Sequence, residues 1–357
     1  MSGGVDSSVA TSLLREQGFD VVGSMLRFWP DERPAGAFDL CCSPTAAFDA
    51  RRMADRIDIP FYLLDYREAF DRVVIEPFVP EYEAGTTPNP CVWCNREIKF
   101  GSMVKRAQAL GCEFMATGHY VRRVDGPGGA ELHRGLDDDK DQTYFLWALP
   151  RELLPYLLFP LGELTKEQVR ELARERGFST ADKASSSGLC FIATTVKDYL
   201  RDNTEAKPGP VLDAADGFAE VGRHDGIQYF TIGQRKGLGV TYSEPLYVLA
   251  TNPYRNALVV GTRDQLGRDW LTAKRMNWIS GSAPTTSSRA EVKIRYKARA
   301  VPAWVEPLDE DRIAVRFDEP LRDIAAGQGA VIYDGDVCLG GGIIERPAQD
   351  DGISAQE

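Results

Sequence analysis

No stretch of this chain approaches the ~18 consecutive apolar residues that a membrane-crossing helix requires, so no spanning helix is expected. A basic segment leading into an apolar core, the mark of a secretory leader, is also missing. Cysteine is sparse: Cys41, Cys42, Cys91, Cys94, Cys112, Cys190 and Cys338 make an odd set of seven in 357 residues. That argues against a disulfide framework and for reduced thiols in a cytoplasmic protein. The three histidines, His119, His133 and His224, and the lack of a second Cys-x-x-Cys leave zinc short of ligands. Positive charge is in deficit, with a net charge of −11. A nucleic-acid partner would therefore have to be met by local clusters. Arg96/Lys99/Lys105/Arg106, Arg235/Lys236 and Lys293/Arg295/Lys297/Arg299 are the candidates. Repeats and low-complexity tracts are absent. What remains is ordinary globular material, 43% apolar and 27% charged, long enough for two or three domains.

The most informative segment is Ser2-Gly3-Gly4-Val5-Asp6-Ser7-Ser8. Adjacent glycines let the backbone turn tightly and approach a ligand closely. The next residues, Val9 to Arg15, read as a helix with Val9, Leu13 and Leu14 on one face. A glycine-rich loop opening a helix presents N–H groups and a positive dipole end, which suits phosphate. The Walker form is excluded because no Gly-Lys-Ser/Thr follows. Such a loop normally follows a buried strand, and here only Met1 precedes it. This leads to the expectation that Met1 is an internal methionine of a longer reading frame, and that without the strand the nucleotide domain is impaired.

Residues 1–180 alternate extended and helical patterns: Asp20–Leu26 extended, Ala46–Ile57 helical, Ile59–Asp65 extended, Phe100–Leu110 helical and Glu113–His119 extended. Gly18 is placed to end the first helix, and Thr165 to cap another from Lys166 to Arg176. The pattern predicts an α/β domain, a parallel sheet with helices on both faces. From Pro208 the chain turns rich in glycine, proline and β-branched residues, with alternating runs such as Gln228–Ile232. Runs at Ala290–Tyr296, Arg312–Phe317, Gly329–Tyr333 and Val337–Ile344 predict a closing β-barrel or sandwich. The expected domains are residues 1–199, a small β-rich domain over 200–265 and a C-terminal barrel over 266–347. The polar residues 348–357 read as a disordered tail.

Thr87-Pro88-Asn89-Pro90-Cys91-Val92-Trp93-Cys94-Asn95 reads as a loop stiffened by two prolines and followed by a Cys-x-x-Cys. A buried pair and a redox motif remain open readings of that spacing. A more attractive partner is Cys190, in the small-residue segment Ser185–Ile192. One thiol that attacks and another that carries sulfur, meeting over an adenylated substrate, would make a sulfur transferase.

Taken together, Ser2–Ser8, Thr87–Phe100, Ala116–Tyr120, Lys140–Trp147, Gly188–Ile192, Tyr229–Leu238 and Gly335–Ile344 resemble the bacterial tRNA-specific 2-thiouridylases, members of the pyrophosphate-loop ATPases. The resemblance runs nearly end to end and implies 2-thiolation of the wobble uridine in tRNAs of the Lys, Glu and Gln type. ATP with Mg²⁺ would place AMP on the C2 oxygen, and sulfur would follow from a persulfide on Cys190. Cys94 would be the second thiol, assisting attack or forming a transient disulfide with Cys190. A sulfur-relay protein or cysteine desulfurase would supply the sulfur. Ser2, Gly3, Gly4, Val5, Asp6, Ser7, Met25 and Gly118 match nucleotide contacts, with Asp6 helping to position Mg²⁺ or the loop. Asn89, Pro90 and Cys91 match the segment facing the target base. His119, Lys140, Asp141, Gln142, Arg295, Tyr296 and Gln328 match tRNA contacts.

The resemblance departs at Ser185, where relatives carry Asp, a change expected to affect rate rather than reaction type. Two other readings compete. An iron–sulfur cluster on Cys91, Cys94 and Cys190 could carry the sulfur. A non-catalytic tRNA-binding or redox module, whose loop no longer hydrolyses ATP, is favoured only by the missing first strand. An amide-forming synthetase leaves the cysteines and that tail without a purpose.

Overall fold

The computed structural model describes residues 1–29, 43–183, 188–240, 242 and 244–347. The chain divides into two compact units. The first comprises Met1–Val74, Cys91–Thr194 and Asp336–Cys338; the second comprises Ile75–Pro90, Thr195–Gly335 and the chain from Leu339.

In the first unit, α1 (Val5–Glu16) starts at Gly4 and buries Val5, Val9, Ala10 and Leu14. It stops at Gln17 because Gly18, at φ +89°, takes the left-handed turn that only glycine adopts cheaply. Strand β1 (Gly23–Arg27) follows, then α2 (Pro44–Ile57), whose N-cap Ser43 accepts from the Ala46 N–H at 3.0 Å. Strand β2 (Phe61–Asp65) runs parallel to β1, pairing Met25 with Leu63. A second parallel ladder joins β3 (Met115–Ala116) to β6 (Leu157–Leu158). Between these two lies an antiparallel hairpin, β4 (Val121–Gly126) and β5 (Gly129–Arg134), turning at Pro127-Gly128. The helix Lys166–Glu175 closes this unit with a capping box between Thr165 and Gln168. Its Val169 and Ala173 meet Val5, Val9 and Leu161 in one core. Each such apolar side chain contributes roughly 1.5–3 kcal/mol on burial.

Two local readings change. The segment from Pro90 is helical, because proline at the first helical position loses no hydrogen bond and presets φ. A turn at Pro90–Trp93 passes into a wide-turned π segment, Cys94–Ser102, and then into the helix Met103–Ala109. In the second unit Gln228–Ile232 is not a strand: Ile227–Tyr229 forms a 3-10 turn. Gln228, Tyr229 and Phe230 are buried in succession, which period-two alternation does not allow.

The second unit holds a four-stranded sheet in the order β8-β7-β10-β9: β7 (Gly209–Asp213), β8 (Ala219–His224), β9 (Tyr247–Asn252) and β10 (Ala257–Gly261). Beyond it, β11 (Arg268–Asn277), β12 (Ser288–Lys293), β13 (Val301–Pro307), β14 (Arg312–Leu321), β15 (Gly329–Asp334) and β16 (Val337–Ile344) form a barrel. The order is β11-β14-β13-β12-β15-β16, and pairing of β16 with β11 closes it. Alternate residues such as Val292, Val305, Val315 and Ile332 fill its interior.

Candidate active site

The glycine loop turns the chain into α1 with backbone alone. Gly3 sits at φ +69°, and a Cβ there would lie 2.2 Å from the Ala46 carbonyl oxygen. Gly4 caps α1 with no side-chain hydrogen bond, and the acidic residue of the first turn is Asp6. The hydroxyls brace this turn: Ser7 Oγ and Ser8 Oγ donate to the Gly4 carbonyl at 3.2 and 3.0 Å. Ser2 N–H donates to Ser7 Oγ at 3.0 Å. Gly118 packs on the first turn of α1, where a Cβ would come 2.9 Å from the Asp6 carbonyl carbon. Met25 is buried at the centre of β1.

Asp6 is held rather than loose. Its Oδ1 accepts from Lys166 Nζ at 2.5 Å and from the Tyr120 hydroxyl at 2.7 Å. Burial, and then the Asp6 charge, push the Tyr120 hydroxyl far above its usual range, so it remains a donor. Lys183 Nζ donates to the Gly3 carbonyl at 3.3 Å and to Asp49 Oδ2 at 3.0 Å. Neither lysine was singled out from the sequence. For Lys166 a signal existed: a cation at the first position of a helix opposes the macrodipole and needs another partner. Replacing Lys166 with Met leaves the Asp6 carboxylate without its ammonium partner in the first turn of α1. We expect roughly tenfold or greater loss of ATP affinity, about 1.4 kcal/mol, measured by equilibrium binding. An unchanged affinity would remove Lys166 from the site.

The thiols belong to the same unit as the loop. Cys91 and Cys94, three residues apart, share one side of the helical segment; Cys94 is buried and Cys91 half-buried. Asn95, next to Cys94, is buried and donates from Nδ2 to the Phe145 carbonyl at 3.0 Å. Cys190 is half-buried on a turn. The neighbouring Phe191 packs edge-on against Phe70, which stacks on Phe28 at 4.4 Å. Among the described residues, no three histidine, cysteine or carboxylate side chains gather as a metal-holding group. The cluster reading on Cys91, Cys94 and Cys190 therefore has no support in this arrangement. Ser185, Cys41 and Cys42 lie outside the described residues.

Three family models match the chain: a tRNA methyl transferase HUP domain over residues 1–194, a tRNA methyl transferase PRC-barrel domain over 197–262 and an aminomethyltransferase beta-barrel domain over 268–344. The tRNA-specific 2-thiouridylase MnmA of Deinococcus radiodurans is 48% identical over 98% of this chain and 92% of its own length. The chain belongs to the tRNA-specific 2-thiouridylase family. Its namesakes from Thermus thermophilus and Clostridioides difficile are 47% and 43% identical, each over 97% of this chain and 94% and 97% of their own. A solved NMN synthetase from Francisella tularensis, 18% identical over 56% of this chain and 68% of its own, aligns with a TM-score of 0.32, too loose a likeness to bear on the site.

The remaining positions that this 2-thiouridylase family membership brings forward differ in setting. His119 lies beside Phe100 and Phe159, with Thr117 Oγ1 2.8 Å from Nδ1. Burial, with Lys99 nearby, pulls its pKa down to about 3, so the imidazole stays neutral. The unfolded chain takes up that proton near pH 6.5 and the folded one does not. Stability is thus full above about pH 6.5 and falls as pH drops towards 3, by up to about 1.4 kcal/mol per unit. Urea midpoints from pH 7 to 5 should show this slope, and His119→Asn should flatten it. Asp141 is buried and accepts from Gly135 N–H and Thr143 Oγ1, which brace its loop. Gln142 Oε1 accepts from Tyr120 N–H at 2.9 Å, and Lys140 is half-buried. Arg295 is exposed and paired with Asp323; Lys297 Nζ stands 4.8 Å from the Tyr296 ring centroid. Gln328 donates to the Thr87 carbonyl at 2.9 Å. Among the described residues no helix is long and apolar enough to cross a membrane.

Proposed function

We propose that this enzyme uses ATP to convert a tRNA uridine to 2-thiouridine, acting at the wobble position. The observation that carries this reading is the presence of Cys94 and Cys190 in the same compact unit as an uncapped, glycine-turned helix N-terminus. That N-terminus offers N–H donors and a dipole to pyrophosphate, with Lys166 and Lys183 close by to balance its charge. Gly3 and Gly118 keep the approach clear of side chains. Mg²⁺ typically binds through one or two carboxylates together with substrate phosphates. Asp6 would offer the metal only its Oδ2, since its Oδ1 is committed to Lys166 and Tyr120.

Adenylation turns the C2 oxygen of the base, a poor leaving group, into a phosphate ester that departs as AMP. The terminal sulfur of a Cys190 persulfide attacks C2, and AMP leaves with the former base oxygen. Cys94 then attacks the inner sulfur, forming a Cys94–Cys190 disulfide and releasing the thiolated base. External thiols return the disulfide to two thiols, and a relay protein or cysteine desulfurase renews the persulfide. Asn89, Pro90 and Cys91 face the base, with His119, Lys140, Gln142, Arg295 and Tyr296 on the tRNA body. Residues 1–199 supply the chemistry, 200–265 form a small β-rich connector and 266–347 contact the tRNA. The test is nucleoside analysis of unmodified tRNA incubated with enzyme, ATP, Mg²⁺, a reducing thiol, and a cysteine desulfurase with cysteine as the persulfide donor. 2-Thiouridine should appear only when ATP is present; tRNA binding without any thiolation would sink the reading.

A further inference from the structure

The segment leading into the thiol-bearing helix cannot organise itself. Pro88 and Pro90 contribute no N–H, so the carbonyls of Thr87 and Pro88 need donors from elsewhere. Within the second unit the donor is Gln328, whose Nε2 donates to the Thr87 oxygen at 2.9 Å and to the Pro88 oxygen at 3.4 Å. Thr87 N–H in turn donates to the Ala326 carbonyl at 2.7 Å. Gly327 lies between them at φ +90°, and a Cβ there would meet both Thr87 N and Thr87 O at 2.9 Å. The clasp is rigid on its own side: Ile344 N–H donates to the Gln328 carbonyl at 2.8 Å, and Gly327 N–H to the Ile344 carbonyl at 2.9 Å. Just upstream, Thr251 Oγ1 donates to the Gly85 carbonyl at 3.3 Å and Arg346 to that of Ala84. Asn89, next along the chain, is buried.

We propose that Gln328 is a positioning residue for the reaction: its amide sets the register of Thr87–Pro90 and thereby presents Asn89 and Pro90 to the target base. This rests on the assignment of Asn89–Cys91 to that base. It differs from a role for Gln328 as a tRNA contact, because its amide is spent on two carbonyls of its own chain. A contact residue would act on tRNA affinity. A positioning residue acts on the rate at saturating tRNA.

The test uses the full chain carrying Gln328→Ala or Gln328→Glu, the second keeping the side-chain shape while removing the donor. Hydrogen exchange, read by mass spectrometry on peptides spanning residues 83–92, should speed up about tenfold in both variants. The single-turnover rate of 2-thiouridine formation at saturating tRNA should fall about tenfold, with tRNA Kd within about twofold of wild type. Unchanged exchange in both variants overturns the proposal. So does a raised Kd with a wild-type rate at saturation. If the wild type makes no 2-thiouridine, the functional reading fails while the exchange measurement still decides the clasp.

Discussion

Cys190→Ala abolishes 2-thiouridine formation, a loss of about a thousandfold or more, while each tRNA still takes up one AMP on the base oxygen and one pyrophosphate is released. The expectation follows from the division of labour in the first unit. In the proposed function the loop and α1 activate the base, and Cys190, next to Phe191 packed against Phe70, carries the sulfur. Removing one thiol leaves the loop untouched, so activation survives where transfer cannot. Cys94→Ala should fail differently: mass spectrometry should find the tRNA base joined to Cys190 through one extra sulfur atom, with release blocked. Equal loss of pyrophosphate release and thiolation in Cys190→Ala would mean that Cys190 shapes the nucleotide site instead.

Gly3→Ala carries the second large effect. The left-handed backbone at Gly3 costs an alanine about 1–2 kcal/mol, before its Cβ is placed 2.2 Å from the Ala46 carbonyl oxygen. Backbone must move, and the backbone opposite is the first turn of α2, whose Ala46 and Ala50 are buried in the core shared with Met25. We expect ATP binding to weaken at least tenfold and the melting temperature to fall by several degrees. Gly4→Ala is the control: only Ser2 Oγ lies near its Cβ position, at 3.6 Å, and its φ of −99° suits any residue. Comparable loss in both variants would mean that the loop tolerates no side chain anywhere, and that the specific contact with Ala46 is not what matters.

Much of this could be read from the residues because the deciding signals are local. Thr165 marks a helix start, Gly18 a helix end, and the runs near 290, 312, 329 and 337 the barrel strands. The hairpin Val121–Arg134 was missed although Pro127-Gly128 marks its turn. The helical start at Pro90 is not legible because a proline stiffens a loop as readily as it opens a helix. Other features are long-range and left no local trace. Lys166 reaches Asp6 across 160 positions, and Gln328 reaches Thr87 across 241. Neither pairing carries a periodicity or a spacing. The helix dipole was the only hint for Lys166, and for Gln328 there was none.

The central claim is that the glycine loop spends ATP on the oxygen that sulfur replaces. The most direct test is a single turnover on tRNA carrying ¹⁸O at C2 of the target uridine, with AMP recovered for mass spectrometry. The account predicts one ¹⁸O in the phosphate of AMP for each 2-thiouridine formed. Unlabelled AMP accompanying full 2-thiouridine formation would contradict it.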